Sequence, residues 1–165
     1  AASDVYKRQV GDQYYAMVSP VMIDAKNPLY SVNGVFNAIF IHGNVLGDAM
    51  FYGSGAGKLP TASAVVADVV DCAKNKGRNI MMSWSEEKLD LLQIDDVKSR
   101  FFVRVSGHAA ERQSEIEELF GKVEIVAVPS LSEEFAFITG EITEQEYREK
   151  AEKLDGIQSR IRARI

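Results

Sequence analysis

The residues best suited to bind a ligand form a glycine-rich stretch between Gly53 and Thr61, with the sequence Gly-Ser-Gly-Ala-Gly-Lys-Leu-Pro-Thr. A short apolar run before it predicts a strand, and Pro60 followed by Thr61 predicts the start of a helix. Unpaired backbone N–H groups and the helix dipole favour an anionic or polar ligand at such a junction. Alternate glycines let the backbone approach that ligand closely. We call residues 53–61 the glycine loop.

Two common phosphate-binding motifs do not fit the glycine loop. A dinucleotide-binding G-x-G-x-x-G motif would need glycine where Lys58 stands, and no βαβ unit follows the loop. A Walker A motif would need glycine at Tyr52 and a serine or threonine at Leu59. Taken alone, the loop fits a structural turn as well as a binding loop.

The pattern around the loop predicts the elements that position it. Residues 14–23 are apolar and β-prone and predict a strand, with a turn at 24–28. Runs at 34–41 and 49–52 predict a hairpin that leads into the loop. Beyond it, apolar residues at helical spacing predict a helix that ends near Gly77, and they are Ala62, Val65, Val66, Val69 and Ala73. Residues 80–85 predict a short strand or extended segment. Its side chains Met81, Met82 and Trp84 are expected to pack between the two halves of the chain.

The second half of the chain has a simpler order. Strands are predicted at 101–105, 123–128, 134–142 and 157–165, and helices at 109–120 and 144–154. This βαββαβ order is that of the ferredoxin-like sandwich. The predicted fold class is therefore α+β, or α/β. The first half contributes a partial sheet with a packed helix, and a ferredoxin-like domain follows it.

A longer string around the glycine loop resembles the C-terminal signature of the homoserine dehydrogenase catalytic domain. That string is G-x-G-A-G-x-x-P-T-A-S-A-V-V-x-D, from Gly53 to Asp68, and the upstream segment Asn27–Gly34 and then Asn37-Ala38-Ile39 are also similar to the family. The resemblance spans about residues 14–75. The βαββαβ half looks like the ACT regulatory domain that many members carry.

The resemblance implies NAD(P)-dependent interconversion of L-aspartate 4-semialdehyde and L-homoserine, a cytoplasmic step toward threonine and methionine, by a homodimer or homotetramer. It implies that NADP or NAD is bound mainly by an N-terminal domain that this sequence lacks. Gly53 and Gly55 would shape the loop, and Gly57 would touch the nicotinamide end. The cofactor-binding residues that it assigns here are Gly53, Gly55, Ala56, Gly57 and Thr61.

The resemblance assigns no catalytic residue to this chain. The family's catalytic lysine and substrate-binding acidic residues lie on an upstream segment, and Lys26 and Lys58 do not replace them. We therefore expect the 165-residue chain alone to be inactive. The alternative is a non-catalytic ACT-type module that binds an amino acid or forms oligomers.

The ACT-like half departs from the effector-binding pattern. In the turn before its first helix, His108, Ala110 and Glu111 stand where effector-binding members typically have an acidic residue, a proline and a glycine. Because Glu111 adds bulk and negative charge there, a structural or dimer-forming role is favoured over amino-acid sensing.

Composition excludes several other classes. Nineteen basic and 24 acidic residues give a net charge of −5, which disfavours nucleic-acid binding. Cys72 is the only cysteine, so no intramolecular disulfide forms, and two histidines are too few for a zinc site. Asp68 and Asp71 lack a third ligand, so no metal site is predicted. No apolar stretch is long enough to span a membrane.

Three segments follow from these patterns. Residues 1–9 (AASDVYKRQ) show no strand or helix period and indicate either an added, non-native leader or a frayed natural terminus. Residues 10–97 are predicted as the C-terminal part of the catalytic domain, and residues 98–165 as the ACT-like domain.

Overall fold

The computed structural model describes residues 2–10, 13–79 and 81–165, with the backbone alone for residues 2–10. Its strands are β1 (Ala2–Val10), β2 (Gln13–Ile23), β3 (Phe36–Gly43), β4 (Gly47–Ser54), β5 (Lys98–Ser106), β6 (Glu124–Val126), β7 (Glu134–Ile138), β8 (Ile142–Thr143) and β9 (Ile157–Arg164). Its helices are α1 (Lys58–Lys74), α2 (Ala109–Phe120) and α3 (Glu144–Ala151). None of the helices in these ranges is long and apolar enough to cross a bilayer.

The chain forms two compact units. The first combines residues 1–24 with residues 88–165, and the second comprises residues 25–87. The predicted boundary between residues 97 and 98 thus lies inside the first unit, because β2 pairs with β9. The assignment of residues 10–97 and 98–165 to a catalytic and an ACT-like domain stays a prediction.

The first unit contains the predicted ferredoxin-like arrangement. Its sheet has the order β9-β5-β7-β6 with every adjacent pair antiparallel, and α2 and α3 follow β5 and β7 in the chain. Alternate residues of β5 and β7 point into a core with the two helices. The buried core residues are Phe101, Val103, Val105, Ile116, Phe120, Phe135, Phe137, Tyr147 and Leu154.

The strand predicted over 134–142 is interrupted in the structure. Its first part, β7, ends at Ile138, and β8 begins at Ile142 and pairs with the start of β5. Between them, the Thr139 hydroxyl accepts a hydrogen bond from the Phe101 N–H (3.0 Å) and donates one to the Gly140 carbonyl (2.8 Å). The buried Thr139 hydroxyl thus accepts the hydrogen bond that a backbone carbonyl would accept in a regular antiparallel pair of strands.

The sheet extends beyond the ferredoxin-like part. β2 adds parallel to β9, with Val21 opposite Arg162, and β1 pairs antiparallel with β2 along its length. The expectation of no strand in residues 1–9 is therefore wrong, because strand pairing uses backbone groups and needs no apolar period. The interpretation of residues 1–9 as an added leader stays a prediction.

The second unit holds the predicted hairpin and helix. A 3₁₀ turn, Pro28–Ser31, precedes β3, and β3 pairs antiparallel with β4 from Phe36–Ser54 to Gly43–Gly47. Helix α1 follows directly and covers the predicted helical segment. Residues 81–85 form no strand, and Ile80 lies outside the described residues. Packing of Met81, Met82 and Trp84 is also a wrong expectation, because all three side chains are exposed.

A buried carboxylate ties α3 to the sheet of the first unit. Glu144, the first residue of α3, is 5% exposed and accepts a hydrogen bond from Arg162 at 2.6 Å. It also forms an ion pair with Arg160, whose guanidinium lies 4.6 Å from the centre of the Tyr147 ring. A carboxylate at a helix N-terminus is favoured by the helix dipole as well.

We expect Glu144→Gln to lower the free energy of unfolding by roughly 1–3 kcal/mol, because two guanidinium groups lose their counter-charge. The change is measured by urea unfolding followed by circular dichroism. Glu152→Gln, at an exposed position just beyond α3, is the matched control and should change it by less than about 0.5 kcal/mol. Equal effects of the two substitutions would contradict the role of the ion pair.

A second ion pair joins α3 to the short 3₁₀ turn Ile94–Asp96. Arg148 donates to Asp95 at 2.7 Å, and this hydrogen bond lowers the pKa of the Asp95 carboxyl below its ordinary value of 3.8. Because the pKa is lower in the folded chain, the resulting stability is present above the ordinary value. It is lost as the pH falls through the folded-state pKa.

We expect Arg148→Gln to raise the pKa of Asp95 toward its ordinary value, since the hydrogen bond and the positive charge are both removed. Carbon-detected NMR titration of the Asp95 carboxyl measures the shift. Lys153→Gln removes a charge just after the same helix but outside the pair, and it should leave the Asp95 pKa lowered. An unchanged pKa in Arg148→Gln would refute the assignment of its cause.

Candidate glycine-loop site

The glycine loop begins at the end of β4 and finishes in the first turn of α1. Gly53 and Ser54 are the last residues of β4, and Gly57 is the residue before the helix. Gly57 has φ +116° and ψ 158°, a conformation that side chains disfavour. A β-carbon at this position would lie 3.6 Å from the Pro60 ring, so space is available and only the backbone conformation excludes a side chain.

The start of α1 has no capping side chain. No side chain accepts a hydrogen bond from its first N–H groups, and no acidic residue lies in its first turn. At the start of α1, the Thr61 N–H is the first backbone N–H that donates a hydrogen bond to an earlier carbonyl, that of Gly57, at 3.2 Å. The N–H groups of Lys58 and Leu59 precede the helical ladder and are available to a ligand. The arrangement fits an anionic or strongly polar group.

All five predicted cofactor-binding residues lie on this one exposed segment. Ala56 and Thr61 are exposed, as are Gly53 at the end of β4 and Gly55 and Gly57 between β4 and the helix. The five residues lie close together because they are neighbours in the sequence, and they are Gly53, Gly55, Ala56, Gly57 and Thr61. Their role in binding a cofactor stays a prediction.

Gly53 and Gly55 are glycines for a different reason from Gly57. Neither has a positive φ, so the backbone does not require glycine at these positions. A β-carbon on Gly55 would lie 2.6 Å from the Asn37 side-chain nitrogen, far inside van der Waals contact. Sequence reasoning did not select Asn37 as a site residue. The feature of the sequence that could have identified Asn37 is a polar residue within an otherwise apolar strand, opposite a glycine.

The hairpin that carries the loop is apolar on both faces. One face has the pairs Ile39–Phe51 and Ile41–Ala49, and the other has Phe40–Met50 and the stacked rings of Phe36 and Tyr52, 5.0 Å apart. Ile39 and Phe51 are each 65% exposed. No residue described between 25 and 87 is buried. A strand pair apolar on both faces is typical of a sheet covered on both sides.

Helix α1 presents an apolar face that is equally uncovered within this unit. Val65, Val66 and Val69 are exposed, and the helix has no buried residue. The position of Cys72 beside Ala73, near the end of the predicted helix, favours a packed thiol, but Cys72 is exposed as well, so that expectation is wrong. The reason is that the second unit has too few elements to cover this face.

The other candidate residues do not assemble into a second site in the described part of the chain. The His42 ring shares a hydrogen bond with the Asp48 carboxyl group near the end of the hairpin, and both side chains are exposed. No group of three or more metal-ligating side chains was found in the same ranges. Lys58 is exposed at the start of α1.

The turn between β5 and α2 is covered by an arginine from its own helix. Arg112 donates to the Ser106 carbonyl at 3.0 Å, and its side chain lies 3.1 Å from the position of a β-carbon on Gly107. It also bonds to Glu115. His108 is the residue before α2 and makes no side-chain cap. The Arg112 side chain thus covers this turn. It is the turn that departs from the effector-binding pattern at His108, Ala110 and Glu111.

Comparison with known proteins gives the same family from sequence. The family model described as homoserine dehydrogenase matches residues 2–70, a range that begins inside the predicted leader. A homoserine dehydrogenase of Lactococcus lactis subsp. lactis is 40% identical over 100 residues, which cover 59% of this chain and 23% of that protein. Residues 2–70 are therefore similar to the homoserine dehydrogenases, a family of oxidoreductases.

Further homoserine dehydrogenases are similar to this chain. A homoserine dehydrogenase of Corynebacterium glutamicum is 54% identical over 61 residues, 37% of this chain and 14% of that protein. The crystal structure of a homoserine dehydrogenase from Thiobacillus denitrificans superposes with a TM-score of 0.73 at 24% identity, over 96% of this chain and 41% of that one. A Staphylococcus aureus homoserine dehydrogenase at pH 7.5 gives 0.69 over 96% and 40%. These structures share the fold, and this chain spans less than half of their length.

Proposed function

We propose that this chain supplies the cofactor-closing glycine loop of a homoserine dehydrogenase. The proposed reaction is the NAD(P)-dependent interconversion of L-aspartate 4-semialdehyde and L-homoserine, in threonine and methionine biosynthesis. The observation that carries the proposal is Gly57, held at φ +116° before an uncapped helix start, within the segment that matches the family. A structural turn would not need both a left-handed glycine and a free helix terminus.

The residues present fit an anionic nicotinamide cofactor, NADP or NAD. Gly53, Gly55, Ala56, Gly57 and Thr61 would hold its nicotinamide end, with most other contacts supplied by an N-terminal domain outside this chain. The cofactor supplies hydride transfer when it is bound. The chain's own contribution is to place backbone N–H groups against a polar ligand without intervening side chains. We assign it no catalytic residue.

The proposal also includes the setting of the enzyme. We place it in the cytoplasm as a homodimer or homotetramer. The uncovered apolar faces of the β3–β4 hairpin and of α1 support association with further protein, because exposed patches of this kind mark interaction surfaces. A net charge of −5 supports neither a nucleic-acid nor an anionic-membrane partner.

The alternative function is a non-catalytic ACT-type module. The ferredoxin-like part of the first unit has a buried core of its own, which supports a separate folded module beside the proposed enzyme function. Arg112 over the β5–α2 turn argues against amino-acid binding there.

We expect Gly57→Val to raise the KM for NADPH about tenfold or more, because a β-branched residue at this φ costs roughly 1–3 kcal/mol and moves the loop. The variant is tested in a chimera in which this chain replaces the region that it matches in the Lactococcus lactis relative. Gly43→Ala is the matched control, since its new β-carbon has only ordinary contacts of 3.7 Å or more and no positive φ. Wild-type cofactor KM and kcat in Gly57→Val would overturn the placement of the loop.

We expect the isolated 165-residue chain to show no homoserine oxidation above background, because the family's catalytic lysine lies on a segment that it does not contain. NADPH formation at 340 nm in the presence of homoserine measures the activity, with the active chimera as the positive control. Turnover that rises in proportion to the concentration of the isolated chain would disprove this expectation.

A further inference from the structure

We propose that Asn37 is a positioning residue for the glycine loop, with its carboxamide acting as a spacer that sets the path of Gly55. This inference rests on the function proposed above, because it names the side chain that fixes the loop in its cofactor-closing position. The observation behind it is the contact between an asparagine in one strand of the hairpin and a glycine just beyond the other.

The register of the hairpin brings Asn37 to the loop. Asn37 lies opposite Gly53, and paired residues of antiparallel strands point to the same face. Side chains alternate along a strand, so Gly55 continues the face of Gly53 while Ser54 points to the other side. Asn37 and the two glycines therefore form one continuous strip.

Gly55 leaves the space that the asparagine side chain occupies. Nothing lies within 4 Å of a β-carbon built on Gly53, so the Asn37 side chain has no cross-strand neighbour to block it. It extends diagonally toward Gly55, where its Nδ2, Cγ and Cβ atoms lie 2.6, 3.5 and 3.7 Å from a β-carbon built on that residue. All three contacts involve one residue, so the Asn37 side chain lies where a side chain of residue 55 would begin.

At Gly55 a neighbouring side chain, and not the backbone conformation, occupies the place of a β-carbon. Gly55 has no positive φ, so an alanine could adopt its conformation if Asn37 were absent. Gly57, two residues later, is fixed by its own backbone instead. The loop is thus defined at two points, by the Asn37 carboxamide below Gly55 and by the left-handed conformation of Gly57.

The expected consequence is a defect in cofactor binding rather than in folding. Asn37 is exposed and belongs to no buried cluster in the described residues, so its loss removes little buried surface. Loss of the spacer lets Gly55 move toward the strand and shifts the backbone N–H groups that follow. A misplacement of about 1 Å at such a site can cost up to about 100-fold in rate.

The test compares Asn37→Ala, Gly55→Ala and the double variant in the Lactococcus lactis chimera. We expect Asn37→Ala to raise the KM for NADPH about fivefold to tenfold, with the KM for homoserine within about twofold of the parent. Gly55→Ala should change the NADPH KM by less than about twofold, because the Asn37 amide is the end of an exposed, flexible side chain and can turn away from the new methyl group. The double variant should be closer to the parent than Asn37→Ala alone, because the new methyl group takes the space of the missing amide.

Asn44→Ala, in the turn of the same hairpin, is the matched control and should leave both KM values unchanged. The melting temperature of each variant separates a folding defect from a positioning defect. An NADPH KM within twofold of the parent in Asn37→Ala, or a double variant as impaired as Asn37→Ala, would overturn the proposal. If Gly57→Val also leaves the NADPH KM unchanged, the proposed function fails as well, whereas a defect confined to Gly57→Val overturns the role of Asn37 alone.

Discussion

Strand β5 is the element on which the first unit depends. It is hydrogen-bonded on both sides, to β9 along one edge and to β7 and β8 along the other, and Phe101, Val103 and Val105 on one of its faces are fully buried. Each further part is attached through it. β9 carries β2, and the Phe101 N–H binds the Thr139 hydroxyl where β7 ends. Removal of this strand would leave neither a sheet nor a core.

The second unit has no equivalent of β5. Its hairpin is apolar on both faces, its helix has no buried residue, and a two-stranded hairpin is marginal by itself in water. The residues that these surfaces would contact are not supplied within residues 25–87. The glycine loop is nevertheless well defined locally, because Gly57 and the Asn37–Gly55 contact depend only on adjacent elements. Local geometry can therefore be specified in a unit whose faces still require partners.

Much of the element order was predictable because it follows from local patterns. The βαββαβ series is visible as alternating strand and helix periods, and the predicted helix 109–120 has the bounds of α2. The hairpin and α1 were predictable for the same reason. The pairing of β2 with β9 was not, because residues 13–23 and 157–164 are far apart in sequence. The side-chain contact of Asn37 was missed for a similar reason, since it depends on the register of two strands.

The sequence by itself indicated the ferredoxin-like order and the glycine loop, because period and residue spacing are local properties of the chain, and the string around the loop resembles homoserine dehydrogenases. Only the tertiary structure decided which strands are neighbours, where the strand over 134–142 is interrupted, and why Gly55 and Gly57 are glycines. Those features depend on atoms brought together by folding. Gly57 favours glycine through its own φ, whereas at Gly55 the flexible Asn37 side chain lies in the place of a β-carbon, and two identical letters in the sequence cannot distinguish these settings.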